Sequence, residues 1–307
     1  MNGPARKLIF VTSPGFSGTT LFSGVLGRHP EVATVGEMTG LIESVDPATY
    51  VCSCGERIQT CSFWEEIERQ MEARGESFAT NNFSLKFFIG KHRATEILLS
   101  RSLHNTWLNS LRDSLVSRLD VVKRERSRIA RRNLAFIDSL RAVLCKDVVL
   151  DVSKDPIRMH YLAQMREIDL YVIHFVRDAR GNAYSFSRNR GSTVLAGAKH
   201  WVWVHKDVQR ISSGLPKGRF LRVRYEDFCR NPATELRKVQ DFCGLKLVDM
   251  SSSVDPTSMH LVGNSMRTRG MAGIELDEKW RRELSSKDVD SILRVAGRLN
   301  RSFGYSN

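Results

Sequence analysis

The chain has 307 residues, 41% hydrophobic and 26% charged, with a net charge of +13. This balance suits a soluble globular protein with a sizeable core; it excludes a disordered or low-complexity chain, and no apolar run approaches a membrane span. The basic surplus suits anionic ligands, nucleic acid or an acidic surface, while six cysteines in a chain this long read as reduced, buried or metal-bound thiols rather than a disulfide framework.

The β-branched, apolar run Leu8-Ile9-Phe10-Val11 predicts a buried strand. The small-residue segment Ser13-Pro14-Gly15-Phe16-Ser17-Gly18-Thr19-Thr20 follows, and then Leu21, Phe22, Val25 and Leu26 recur at helical spacing. Strand, small-residue loop, helix is the layout of a phosphate cradle, because amides at a helix start point outward unpaired and the helix dipole favours an anion there. The pattern is near the P-loop form G-x4-G-K-[ST], with four residues between Ser13 and Gly18, but Thr19-Thr20 stand where Lys-[ST] would be. An ordinary strand-to-helix turn with N-cap chemistry accounts for the same residues. The N-terminal apolar run leads into this loop rather than a small-residue cleavage site, so no signal peptide and a cytoplasmic location are expected.

Val32 to Val35 predicts a second, short strand that delivers Gly36-Glu37. Phe63 to Arg74 predicts a helix ending near Gly75, and 75–90 a loop. From Ala94 to Leu144, spacings of three and four predict two long amphipathic helices with a basic outer face, read as a helical insertion (91–144) within one domain spanning 1–307. Lys91 to Arg141 holds twelve Lys/Arg against five Asp/Glu. The run Lys123–Arg132 reads as a solvated helix face; nucleic acid is the other reading, but no aromatic residues interleave to stack on bases.

The chain then alternates. Strands are predicted at Val148–Val152, Leu170–Val176 and Arg219–Tyr225, with helices from Asp155-Pro156, over Ala179–Arg190, over Ala198–Ile211 and from Asn231-Pro232 to Phe242. A loop-rich stretch (246–274) precedes a broken helix over Asp277–Leu299. The fold class expected is α/β, a P-loop-like parallel sheet flanked by helices, with ligands at the carboxyl ends of the strands. The opening loop, Ser153-Lys154 and Arg177-Asp178 all lie at such ends.

Arg177 ends a strand and Ser185 follows eight residues later, two turns into the next helix. An arginine so placed can make paired charge-assisted bonds to a phosphate, although a local ion pair with Asp178 is the plainer reading. Together with Gly15-Phe16-Ser17-Gly18-Thr19-Thr20-Leu21, this pair resembles the sulfotransferase family that uses 3′-phosphoadenosine-5′-phosphosulfate (PAPS). The resemblance, of bacterial type with tyrosylprotein-sulfotransferase-like motifs, covers most of the chain and the basic helices least. It implies sulfuryl transfer from PAPS to an acceptor hydroxyl or amine, leaving 3′-phosphoadenosine-5′-phosphate (PAP). The loop Gly15 to Thr20 would hold the 5′ end, and Arg177 and Ser185 the 3′-phosphate. Tyr225, in the segment Leu221–Leu245, would lie near the nucleotide. Asn264 and Arg267, in HLVGNSMR (His260–Arg267), would belong to a loop closing over the 3′-phosphate end.

By the same resemblance Glu37 is the expected general base, with a surface or capping carboxylate as the plainer reading and His29 and His174 as alternatives. Lys154, the second expected catalytic residue, would stabilise charge on the bridging oxygen; a surface lysine is the plainer reading, but a cation at a helix start is unfavourable and suggests a purpose. Many members carry Lys or Arg where this chain has Phe16, so Lys154, Arg267 or Arg269 would have to supply the missing charge. The rivals are a nucleotide kinase or NTPase-like enzyme, which the absent Walker lysine counts against, and a non-catalytic polyanion- or nucleic-acid-binding protein using the basic helices. Small-molecule, saccharide, lipid and peptide acceptors all stay open, as does the oligomeric state.

Cys52, Cys54 and Cys61 offer three sulfurs at unconventional zinc spacing. No fourth ligand is apparent, since His92 or Cys145 would have to come from afar, so a buried or redox-active turn is expected and no metal. VCSCGERIQTCSFW (Val51–Trp64) also resembles a cysteine segment of bacterial members. Cys145, Cys229 and Cys243 read as interior thiols.

Overall fold

A computed structural model describes residues 4–40, 46–90, 93–100, 103, 105–250, 258–263 and 273–306. In chain order the elements are β1 (Arg6–Thr12), α1 (Thr19–Leu26), β2 (Val32–Thr34), α2 (Ser62–Glu72), α3 (Arg93–Leu99), α4 (Thr106–Val116), α5 (Asp120–Leu144), β3 (Val148–Lys154), α6 (Pro156–Leu162), β4 (Ile168–Val176), α7 (Ala179–Arg190), α8 (Val194–Ser212), β5 (Phe220–Arg224), α9 (Tyr225–Arg230), α10 (Pro232–Cys243), α11 (Trp280–Glu283) and α12 (Ser286–Ser302).

The five strands form one parallel sheet in the order β2-β3-β1-β4-β5. Alternate residues of β1 face opposite ways, as strand geometry demands. Leu8 and Phe10 join a core with α2, α5 and α6, while Ile9 and Val11 join a second core with α1, α9 and α10. Burial on both faces explains why the strands read as continuous apolar runs. β1 lies between β3 and β4; the chain runs from β1 out to β2 and back to β3 on one side, then crosses to β4 and β5 on the other, so the carboxyl edge of β1 is the switch point at which such sheets bind ligands.

The expected pair of long helices is three. Asn105 caps α4 by accepting from the amides of Trp107 and Leu108, and Leu119 in extended backbone separates α4 from α5. The apolar stripe of α4 also faces outward: Trp107 is 68% exposed and Leu115 57%. Apart from Val116 at its end, the buried side chains described in α4 are Asn109, which donates to Asp207 at 3.3 Å, and Arg112, which donates to the Ile97 carbonyl at 2.9 Å. A polar seam, not the apolar stripe, docks this helix. Among the described residues no helix is long and apolar enough to cross a membrane.

Candidate active site

After β1 the backbone passes Phe16 at φ +66° and Gly18 at φ +87° before α1 begins. A Cβ on Gly18 would lie 2.6 Å from the Tyr225 ring, so glycine lets that ring close over the loop. No side chain caps α1, which leaves its first amides facing the loop. The loop is braced from inside and from α7. Ser17 donates to the Pro14 carbonyl at 2.9 Å, and Asn182 donates to the Gly15 carbonyl at 2.8 Å and the Ser17 hydroxyl at 3.0 Å. The Asn182 side-chain oxygen is buried without a hydrogen-bond partner.

Arg177, 4% exposed, follows the last residue of β4. Its Nη1 donates to the Phe16 carbonyl at 3.1 Å and to Ser185 Oγ at 3.2 Å. Its Nη2 donates to the Asp277 carbonyl at 2.8 Å and carboxylate at 3.1 Å. The guanidinium lies 4.7 Å from the centre of the Tyr225 ring. Tyr225 Oη accepts from the Asp277 amide at 3.0 Å, and burial raises its phenol above the ordinary value. Asp277 lies below the usual carboxylate range: burial pushes it up, but the Arg177 charge and the Lys279 amide outweigh that. Contacts thus join the loop at Phe16 and Gly18, next to Ser17 and to Thr19 and Thr20 at the start of α1, with Arg177, Ser185 and Tyr225, and bring in Asp277 as an acidic member that sequence reasoning missed.

Glu37 and Lys154 form an ion pair, each 18% exposed. Gly36, at φ +76°, pairs with Val262, whose carbonyl accepts from the Glu37 amide at 3.1 Å and would clash with any Cβ on Gly36. Lys154 ends β3 past a register shift, where Thr12 pairs with Lys154, and takes φ +69°. A buried network holds this conformation: Arg158 donates to Asp151 at 2.7 Å, Asp151 accepts from both the amide and the hydroxyl of Ser153, and Thr12 Oγ1 donates to the Lys154 carbonyl at 2.9 Å. Left-handed backbone at two non-glycine residues of one crevice, Phe16 and Lys154, is the kind of strain that surrounding structure must over-determine.

The Phe16 ring meets Phe186 edge-on at 6.0 Å, with the Arg190 guanidinium 5.9 Å away. Asn264, Arg267 and Arg269 lie outside the described residues, as does His92. The two alternative bases are structural. His29 is buried and hydrogen-bonded to the Lys246 carbonyl at 2.8 Å. His174 is buried in β4 against His205, ring nitrogens 2.7 Å apart, and burial together with the Arg222 charge pushes it down to about 3.

A sequence model of the sulfotransferase family matches residues 9–249. The chain belongs to the sulfotransferase family. Two solved structures share its fold. The sulfotransferase domain from the Synechococcus PCC 7002 olefin synthase is 18% identical, with 100% of this chain and 97% of that one covered at a TM-score of 0.53. The sulfotransferase domain from the curacin biosynthetic pathway is 15% identical, with 97% and 98% covered at a TM-score of 0.52. No curated protein matches the sequence. The fold is therefore the P-loop-like α/β fold of that family.

In this sulfotransferase a cavity of about 690 Å³ opens beside the loop. Ser13, Gly15, Ser153 and Lys154 line one end; Ile97, Leu103, Pro156, Trp203 and Val204 give it a largely apolar wall. Glu37 is not among the lining residues and meets the cavity through Lys154.

The sulfotransferase cysteines depart from expectation at two points. Cys145 is exposed in the left-handed residue that ends α5, not an interior thiol, whereas Cys229 and Cys243 are buried. The residue that joins Cys52, Cys54 and Cys61 is His260, not Cys145. His260 opens the segment HLVGNSMR, but it lies 208 positions from Cys52, and no spacing rule couples them.

Proposed function

We propose that the enzyme transfers a sulfuryl group from PAPS to an acceptor hydroxyl or amine. The observation that carries this reading is the reach of Arg177, which touches both the loop, at the Phe16 carbonyl, and Ser185. One arginine linking a 5′ cradle to a hydroxyl two helical turns away suits a nucleotide with phosphate at both ends. The uncapped start of α1 and the orphaned Asn182 oxygen fit a polar ligand on the loop.

PAPS supplies an activated sulfuryl group on a phosphate leaving group, with a second phosphate as a handle. In this reading the backbone from Gly15 to Thr20 holds the 5′ end, Arg177 and Ser185 hold the 3′-phosphate, and Tyr225 lies against the nucleotide. Asn264 and Arg267, outside the described residues, are assigned to the same nucleotide by resemblance. Glu37 takes the acceptor's proton, and Lys154 orients Glu37 and stabilises charge on the bridging oxygen, filling the role left open by Phe16. In-line geometry is expected by analogy with phosphoryl transfer. No metal enters the transfer step.

The apolar wall of the cavity favours an acceptor with an apolar body, such as a phenol or a lipid-like alcohol, over a saccharide. We read residues 1–307 as one sulfotransferase domain, with 91–144 as the insertion that walls this cavity. Incubating the protein with PAPS and a panel of apolar alcohols and phenols, and following PAP release, tests the assignment. ATP turnover without PAP release would favour the kinase or NTPase reading instead.

A further inference from the structure

We propose that Cys52, Cys54, Cys61 and His260 bind one zinc-type divalent cation in a closed tetrahedral site that clips the cysteine turn to the segment beside Glu37. The four ligand atoms all lie within 4.8 Å of one another. Cys54 Sγ and Cys61 Sγ are 3.7 Å apart; His260 Nδ1 is 3.4 Å from Cys61 Sγ and 3.8 Å from Cys52 Sγ. A tetrahedral cation holding sulfur at about 2.3 Å and nitrogen at about 2.0 Å sets S···S edges near ~3.8 Å and S···N edges near ~3.5 Å. Three of the six edges, at 3.7, 3.4 and 3.8 Å, lie within about 0.3 Å of those lengths, and the other three are no longer than 4.8 Å. They are far too long for a disulfide, whose S–S bond is about 2.05 Å.

The surroundings point the ligands inward. Cys52 and Cys54 flank a tight turn in which the Gly55 amide donates to the Cys52 carbonyl at 3.0 Å. Cys61 is the residue before α2, so its side chain is fixed by the start of that helix. Ser53, between two of the ligands, donates to the Met259 carbonyl at 2.6 Å and accepts from the Leu261 amide at 2.7 Å, which locks the backbone on both sides of His260. The Phe63 ring stacks on the imidazole at 4.3 Å and 2°. The buried Trp64 indole N–H lies against Cys52. Three thiolates and one neutral imidazole form the Cys₃His set of structural zinc sites; they release three protons on binding, and four protein ligands leave no open position for catalysis. Soft sulfur ligands select zinc over calcium or magnesium.

The clip reaches the crevice. Two residues after His260, the Val262 amide donates to the Val35 carbonyl at 2.7 Å and its carbonyl accepts from Glu37. Metal loss should therefore slow transfer, because the backbone that holds Glu37 loses its anchor. Only this consequence rests on the proposed chemistry; the metal site does not.

The test is the metal content of tag-free protein, expressed with zinc and purified without chelators, by inductively coupled plasma mass spectrometry and zinc-edge X-ray absorption. One zinc per chain, with three sulfurs and one nitrogen in its shell, is expected. Cobalt exchange should add thiolate-to-cobalt charge-transfer absorption. His260→Ala should drop stoichiometry far below one, whereas His260→Cys, which swaps ligand for ligand, should retain it; the second variant separates ligand loss from misfolding. Folded wild-type protein that stays metal-free after zinc supplementation, or that carries a Cys54–Cys61 disulfide by peptide mapping, would overturn the proposal.

Discussion

Arg177 Nη1 donates to the Phe16 carbonyl oxygen at 3.1 Å, joining residues 161 positions apart and coupling the end of β4 to the loop after β1. The same nitrogen reaches Ser185, and the other reaches Asp277. The carboxylate of Asp277 thus faces the same guanidinium that the proposed 3′-phosphate would meet.

Removing that arginine should be felt first in nucleotide affinity. Arg177→Ala is expected to weaken PAP binding roughly 10- to 100-fold in titration calorimetry, the loss of about 1.5–3 kcal/mol for a hydrogen bond to a charged group. Asp277→Asn, which keeps the shape but not the charge, should tighten PAP. Unchanged affinity in Arg177→Ala of wild-type thermal stability would remove Arg177 from the clamp.

Glu37→Gln should leave PAP affinity within error and cut turnover by roughly 10²- to 10⁴-fold, the range for loss of a general base. Full turnover in that variant would assign the proton transfer elsewhere.

Phe16 and Lys154 give a double-variant test. Lys154→Met should lower turnover by roughly 10²-fold through lost charge stabilisation. Phe16→Lys places a cation where many relatives carry one, and no β-branch worsens the left-handed backbone there. It should recover part of the loss in the double variant while changing the wild-type rate little. Strict additivity would show that the two positions do not share a role.

The buried pair His174–His205 predicts acid sensitivity of the fold. Both rings lie below the ordinary histidine value, by burial first and neighbouring charge second, so they stay neutral in the folded state and take up protons on unfolding. Unfolding then binds more protons, and stability falls as pH drops from about 6.5 toward about 3, by up to about 1.4 kcal/mol per pH unit for one ring. Urea midpoints measured across that window should show the slope in wild type and a shallower one in a folded His205→Gln variant.

Most of the sheet was legible because its strands are buried on both faces and read as unbroken apolar runs. The end of β5 was not, since Tyr225, placed in the strand by its sequence, already begins α9. In α4 the helical period is legible but its buried side is not, because Asn109 and Arg112 make a docking seam that no apolar pattern reveals. At the site, Arg177, Ser185 and the loop were legible as motifs. Asn182, Asp277 and His260 were not: each acts through a partner more than 90 positions away, and only the folded chain brings such partners within hydrogen-bond reach.

Transfer is followed most directly with sulfur-labelled PAPS, the purified enzyme and an apolar phenol or alcohol. Labelled sulfate ester and PAP should appear in equal amounts and be lost together in Glu37→Gln. Nucleotide binding without labelled product across apolar and polar acceptors alike would contradict transfer from PAPS.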